Sequence, residues 1–224
     1  MSKQERNYLA VASQIEDLIR SKYEDGDRIP GERDLAKRFE SSRPTIREAI
    51  VSLEIAGLVE VRRNSGIYVN DKSRAPKPDA GYPPFEILDA RMIVEPEVAR
   101  LAARQAGADD FEKMAIGIEQ MVKEDAQDRP TEQGDRAFHL AIAGACGNAM
   151  LRHIVELLWD QQQRSELWLR ADAYGRTKPF RHVWIEDHSA VMEAIRRQDP
   201  DLARRAMRCH LANTRRCLLE AGQA

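Results

Sequence analysis

The chain has 224 residues, 42% hydrophobic and 32% charged, with a formal net charge of −2. That length leaves room for two modest domains, and the composition is that of an ordinary globular protein. The near-neutral balance excludes a binder that attracts nucleic acid by bulk charge: residues 1 to 75 hold 14 Lys and Arg against 13 Asp and Glu, so any affinity for an anion depends on where the arginines stand. Cys146, Cys209 and Cys217 form neither a CxxC pair nor a zinc-finger spacing. An odd count at such spacing reads as buried, reduced thiols. The polar start, Met-Ser-Lys-Gln-Glu-Arg, lacks the apolar run of a signal peptide, and no stretch is apolar for long enough to span a bilayer. The expected location is the cytoplasm.

In chain order, Tyr8 to Tyr23 is predicted as an amphipathic helix, with Tyr8, Val11, Ala12, Ile15, Leu18 and Ile19 on one side. After a loop at Glu24–Asp27, Leu35, Ala36 and Phe39 mark a short helix that ends in a polar break at 40–42. Ile46, Ala49, Ile50 and Leu53 recur at i, i+3, i+4, i+7, which puts one face of a second helix on a core. Gly57 is its C-terminal stop. Leu58 to Arg62 and Ile67 to Val69 are β-type runs joined by Asn64-Ser65-Gly66. Helix, turn, helix and hairpin make a winged helix-turn-helix, whose second helix is shaped for a major groove. Its outer face carries Arg43 and Arg47, four apart, which can fork onto guanine or hold a phosphate. Ser42 and Thr45 can donate to phosphate near the helix N-terminus, and Arg62 and Arg63 stand at the hairpin tip. The plainer alternative is a small core helix with solvated arginines.

Four of the ten prolines fall between Pro76 and Pro84, marking an exposed, semi-stiff linker. From Phe85 onward the pattern is helical: Phe85 to Gln105 with a kink expected at Pro96, a helix capped by Asp109 or Asp110 and running to about Ala126, and Thr131 to about Ala145. A long helix capped by Asn148 then runs through Trp159 to about Leu169. Pro179 to Arg197 follows, and a last helix opens at Asp199-Pro200. The expected fold is mainly α. A winged helix-turn-helix domain with a small β-hairpin wing spans 1–70, a Pro-rich linker 71–84, and an all-α antiparallel helical bundle 85–224.

All five histidines lie in that bundle. Asp135 and His139 leave one face of one helix, while His188 sits beside Val191, Met192 and Ile195, and His210 beside Met207 and Leu211. Three helices can thus aim one carboxylate and three imidazoles at a shared interior point, an N3O set that suits zinc, nickel or manganese with positions left open. The alternative is a scatter of separately satisfied histidines. His153 and His182 read as structural or surface groups. Trp159 and Trp168 read as ordinary core aromatics.

Several segments resemble the GntR family of bacterial transcription regulators: Glu32-Arg33-Asp34-Leu35-Ala36, Ser42-Arg43-Pro44-Thr45-Ile46-Arg47-Glu48-Ala49-Ile50, Gly57 to Arg63, and Ser65 to Val69. The resemblance implies that Arg33, Ser42, Arg43, Thr45 and Arg47 contact DNA, and that the wing tip, Arg63, Asn64, Ser65 and Gly66, enters the minor groove. Gly31 stands where a helix-capping serine is common, and Asn64 where a glycine is frequent. Asp135-x-x-Phe138-His139, Asn148, His188-x-x-Val191-Met192 and Met207-x-x-His210-Leu211 resemble the FCD ligand-binding domain of the FadR-type branch. That implies a divalent metal on Asp135, His139, His188 and His210, and an effector carboxylate paired with Arg91. Pro84 to Arg91, Asp187-His188 and His210-Leu211-x-Asn213-Thr214 are similar to the hexuronate-utilisation repressors. The function implied is a homodimeric, non-enzymatic repressor on a palindromic double-stranded DNA operator, controlled by a small carboxylate such as a sugar acid. The alternatives are another organic acid as effector (lactate, a di- or tricarboxylate, an aromatic acid) or a metal-dependent enzyme with a DNA-binding appendage, for which Glu186 or Asp187 would have to serve as base.

Overall fold

The computed structural model describes residues 8–70, 81–126, 132–175 and 181–221, with side chains for all of these except 172–175, 181–183 and 221. The predicted linker therefore lies outside the described residues over 71–80, as do the predicted helix starts at Thr131 and Pro179. The chain forms two compact units, one of Met1–Pro83, Glu166–Gly175 and Leu218–Ala224, the other of Pro84–Ser165 and Arg176–Cys217.

In the first unit the order is α1 (Tyr8–Lys22), β1 (Arg28–Ile29), α2 (Glu32–Arg38), α3 (Arg43–Ile55), β2 (Val59–Arg62) and β3 (Gly66–Val69). The apolar stripe of α1 is buried as its spacing demands, and with Leu35, Ile46, Ala49 and Ile50 it makes one core. Removing each such aliphatic side chain from water contributes about 1.5–3 kcal/mol. Local chemistry sets the ends of α3. Ser42 is its N-cap and accepts from the Thr45 N–H, with Pro44 in the first turn. At the other end Gly57, at φ +77°, takes the left-handed position, and the Leu58 N–H reaches back to the Leu53 carbonyl. The wing pairs Val59 with Val69 and Arg62 with Gly66, and Asn64 turns the hairpin at φ 58°, a conformation that asparagine tolerates. The sequence does not predict β1: two residues, paired through Ile29 and Ile67 to make the order β1-β3-β2, are too few to show alternation. Gly31 caps α2 without a side-chain bond, as its identity dictates.

Among the described residues the second unit is all helix: α4 (Pro84–Ala102), α5 (Ala108–Ala126), α6 (Gln133–Ala145), α7 (Ala149–Arg164), α9 (Arg181–Arg196) and most of α10 (Pro200–Ala221). Asn148 caps α7 by accepting from the Met150 and Leu151 N–H groups, and Asp199 caps α10 through the Leu202 N–H. The single long helix predicted from Asn148 to Leu169 is two. Ser165 leaves the helical region at ψ 115° after α7, and α8 (Glu166–Gly175) groups with the first unit. Ser165 is fully buried, and serine competes for backbone hydrogen bonds where a helix is ready to stop. The core of the second unit is formed by Met114, Phe138, Ile142, Trp159, Val191, Ile195 and Leu211, among others. Two glycines let α5 and α6 touch backbone to backbone. A Cβ at Gly134 would stand 2.5 Å from the Met121 nitrogen, and one at Gly117 2.8 Å from the Phe138 nitrogen.

Candidate metal centre and nucleic-acid interface

The close α5–α6 crossing fixes the helix that carries two of the site residues. Asp135 and His139 lie one turn apart on α6, His188 is on α9, and His210 is on α10. Each histidine shares its helix face with core residues: Phe138 and Ile142, Val191 and Ile195, Met207 and Leu211. All three imidazoles are buried, at 1–3% exposure, and Asp135 keeps 28% of its side chain accessible. One donor atom from each of the four falls within 4.8 Å of the others. The His139 and His188 rings meet edge to face at 5.4 Å, and the His188 and His210 centroids are 4.2 Å apart.

The protonation pattern fits a cation. His188 Nδ1 lies 2.6 Å from the Trp184 carbonyl, which only accepts, so the proton sits on Nδ1. His139 Nδ1 faces the Glu95 carboxylate in the same way. Both rings then turn Nε2 toward the same oxygen, Asp135 Oδ1, at 2.9 Å and 3.2 Å. Burial alone would raise the Asp135 carboxyl, but the charges and hydrogen bonds of His188 and His139 hold it well below the usual carboxylate range. An ionised oxygen held against two imidazole nitrogens calls for a positive charge there, supplied by ring protons or by a metal ion that displaces them. Burial and the two neighbouring imidazoles push His210 well below its ordinary value, leaving a neutral ring with a free lone pair. Its Nδ1 makes no hydrogen bond, with Asp187 Oδ2 3.9 Å away. Burial alone would lower His139, yet the Glu95 carboxylate and Asp135 raise it, so a metal ion would have to displace a proton there. Three imidazoles and one carboxylate, two of the rings oriented by acceptors behind them, match the ligand set of borderline divalent ions.

Behind the set stands a buried network that the sequence does not announce. Arg91 donates from Nε to Glu95 Oε1 at 2.6 Å and from Nη1 to Gln162 Oε1 at 2.9 Å, and its guanidinium lies 4.2 Å over the Trp159 ring. Both Arg91 and Glu95 are 2% exposed. Burial raises the Glu95 carboxyl, yet the charges of Arg91 and His139 bring it down to about 2. Gln162 continues the chain by donating to Glu132. Arg91 thus sits beside the cluster, 3.5 Å from His139 Nε2, with its charge already met by Glu95. Glu95, at i+4 from Arg91, was within reach of helical spacing; Gln162, 71 residues away, was not. His153 is 70% exposed and lies apart from the cluster. The side chain of His182 is outside the described residues. Trp159 packs against His139 at 5.2 Å, whereas Trp168 is in α8.

In the first unit Arg33 and Arg43 are exposed. Arg47, 39% exposed, is held by Glu32 through two bonds of 3.0 Å. Ser42 and Thr45 bond each other at 2.8 Å, and Thr45 is buried, so both hydroxyls serve the cap of α3. On the wing, Arg63, Asn64 and Ser65 are exposed and Gly66 half-buried. Ser65 bonds the Tyr68 hydroxyl. Arg62 pairs with Glu60 and lies over the Tyr68 ring. Arg28, Glu32, Arg47, Arg62, Arg63 and Ser65 share one open cleft.

Fold and site define a winged helix-turn-helix regulator of transcription followed by a helical ligand-binding domain. Residues 7–69 match the bacterial regulatory proteins of the gntR family, and residues 86–213 match the FCD domain. The chain belongs to the GntR family, in the branch whose sensor is an FCD domain. It is 38% identical to the Uxu operon transcriptional regulator of Escherichia coli (strain K12) over 226 residues, covering 96% of this chain and 88% of that one. It is 34% identical to the Exu regulon transcriptional regulator of the same strain over 218 residues, covering 94% and 83%. A GntR family member from Pseudomonas syringae pv. tomato str. DC3000, 22% identical, shares the fold at a TM-score of 0.51 over 98% of this chain and 87% of that one. These relatives are regulators and not enzymes. No described helix is long and apolar enough to cross a membrane.

Proposed function

We propose that the chain is a repressor of sugar-acid utilisation, released from its operator by a hexuronate or related acid bound at a metal centre in the FCD domain. Residues 1–70 form the reading head, 71–84 the linker and 85–224 the sensor. Arg33, Arg43 and Arg47 contact DNA, with Ser42, Thr45 and the wing residues Arg63, Asn64, Ser65 and Gly66 at the backbone and minor groove. A homodimer sets two such heads on a palindromic operator. The names of the Uxu and Exu relatives support the choice of effector class.

The observation that carries the sensor half is the convergence of Asp135, His139, His188 and His210 on one point with Nε2 of two rings facing one carboxylate oxygen. These four side chains would hold zinc, nickel or manganese. A divalent ion held there supplies coordination positions for the oxygens of an organic acid. The surrounding residues do the rest. The Glu95 carboxylate and the Trp184 carbonyl fix the tautomers and orientations of His139 and His188. Arg91 places a buried positive charge next to the site, where an entering carboxylate would displace the neutral Gln162 amide oxygen from Nη1. Trp159 Nε1 and His210 Nδ1 are buried donors or acceptors without partners, which suits a ligand rich in oxygen. A coupling of about 1–3 kcal/mol between the two sites would change operator affinity roughly 5- to 150-fold. The test is His139→Ala in a gel-shift assay with galacturonate or glucuronate added. The variant should hold operator DNA as the parent does and should no longer release it. Release at the parent's acid concentration would remove the metal site from the mechanism.

A further inference from the structure

We infer that Glu32 is a specificity-determining residue, a buttress that locks Arg47 so that one fork of its guanidinium is held open for a guanine. The inference rests on the proposed role of Arg47 as a base-contacting residue. Glu32 opens α2 and Arg47 lies midway along α3, so the contact ties the two helices of the reading head. It is side-on and bidentate: Nε to Oε1 at 3.0 Å and Nη2 to Oε2 at 3.0 Å. Of the five guanidinium N–H groups these use two along the Nε/Nη2 edge, while the end-on pair, one on each Nη, keeps its parallel geometry. That pair matches the O6 and N7 acceptors that guanine shows in the major groove. A free arginine side chain has much rotamer entropy; the carboxylate removes part of it before DNA arrives.

Arg43 provides the contrast on the same helix. It lies one turn earlier, its side chain is 67% exposed, and its Nη2 stands 3.8 Å from the same Glu32 oxygen, too far for a hydrogen bond. Arg43 can swing to follow a phosphate. Arg47 cannot, and a carboxylate at its elbow repels phosphate while leaving a base edge acceptable. The pair also has a plain structural alternative, a staple that only holds α2 to α3. That alternative predicts equal losses on every DNA sequence, whereas a buttress predicts a loss at one base.

The experiment selects binding sites from a random duplex library with the full chain, its Glu32→Ala and Glu32→Gln forms, and Arg47→Lys. The selected duplex and its single-base variants are then titrated, alongside an unrelated duplex. Circular dichroism melts establish that each form is folded, and Glu32→Gln, nearly isosteric, covers the case in which Glu32→Ala is not. Glu32→Ala should lower the preference for G over the other bases at one position about 10-fold, without weakening binding to the unrelated duplex. Glu32→Gln, which keeps one acceptor and loses the charge, should fall between. Arg47→Lys should lose preference at the same position, and adding Glu32→Ala to it should change nothing further. An unchanged preference in both Glu32 forms, an equal loss on all duplexes, or a change at a position that Arg47→Lys leaves intact overturns the inference. If Arg47→Lys alters no base position, the base role of Arg47 is what fails, and the buttress with it.

Discussion

Replacing Gly134 by Ala adds one methyl group where α5 and α6 touch. In an open helix position the change would stabilise by up to about 1 kcal/mol, the propensity difference between the two residues. Here the new Cβ would stand 2.5 Å from the Met121 nitrogen and 2.8 Å from the Gly117 carbonyl oxygen, against an ordinary contact of about 3.5–4.0 Å. Both obstacles are backbone, so no side-chain rotation relieves them and the helices must separate by roughly 1 Å. Overpacking of that kind costs about 1–3 kcal/mol, the upper part of which outweighs the propensity gain. A net loss of about 1–2 kcal/mol lowers the melting temperature of a chain this size by roughly 2–8 °C. Gly144 is the control, since it lies on the same helix with nothing within 4 Å of its Cβ direction. Gly144→Ala should leave the melt unchanged or raise it. The assay is a thermal melt followed by circular dichroism. A Gly134→Ala protein no less stable than Gly144→Ala would refute the close crossing and with it the stated reason why Asp135 and His139 stand where they do.

Two further outcomes follow from the buried site. Zinc, nickel or manganese at about 100 times its dissociation constant should stabilise the sensor by about 2.7 kcal/mol. Excess chelator should reverse this, and His210→Ala should abolish it, so that a variant melting with the parent's metal dependence would exclude His210 as a ligand. Glu95→Gln leaves the Arg91 guanidinium buried without its anionic partner and should cost about 3–5 kcal/mol. The double replacement Arg91→Met with Glu95→Leu should recover most of that loss, and a double variant no more stable than Glu95→Gln would show that the pair holds the core together for some other reason.

The parts of the molecule that the sequence announces are those set by chemistry within a few residues. The stripe of α1, the Asn148 cap, the Gly57 stop and the Asn64 turn each depend on periodicity or on one side chain bonding its own backbone, and all of them appear where the pattern places them, whereas Ser42, read as a phosphate donor, also caps α3. Asp135 and His139 were legible for the same reason, being one turn apart. Spacing offered His188 and His210 as their partners but left separate histidines as an alternative, and the resemblance favoured the joint site, because spacing says which way a side chain leaves its helix and nothing about which helices meet. The break at Ser165 and the strand at Arg28–Ile29 stayed hidden: the first interrupts a sequence of good helix formers, and the second is too short to show alternation. Least visible were the distant partners of the arginines. Glu32 and Arg47 are 15 residues apart on different helices, and Gln162 reaches Arg91 across 71. Pairs of that kind depend on packing that only the folded chain supplies.

That distinction bears on what a metal at the proposed site would do. In a small zinc-dependent domain the ion replaces a missing core, and the chain unfolds without it. Here Met114, Phe138, Ile142, Val191, Ile195 and Leu211 form a buried apolar core of their own, and the acceptors behind His139 and His188 already fix two rings. Such preorganisation lowers the ordering cost of binding. What a metal at the proposed site would have to displace is the positive charge that protons on His139 and His188 give to Asp135. The site is therefore suited to trimming the arrangement of α6, α9 and α10 relative to one another without building it. The proposed sensor would need that property: two arrangements close in free energy, between which an incoming acid could choose.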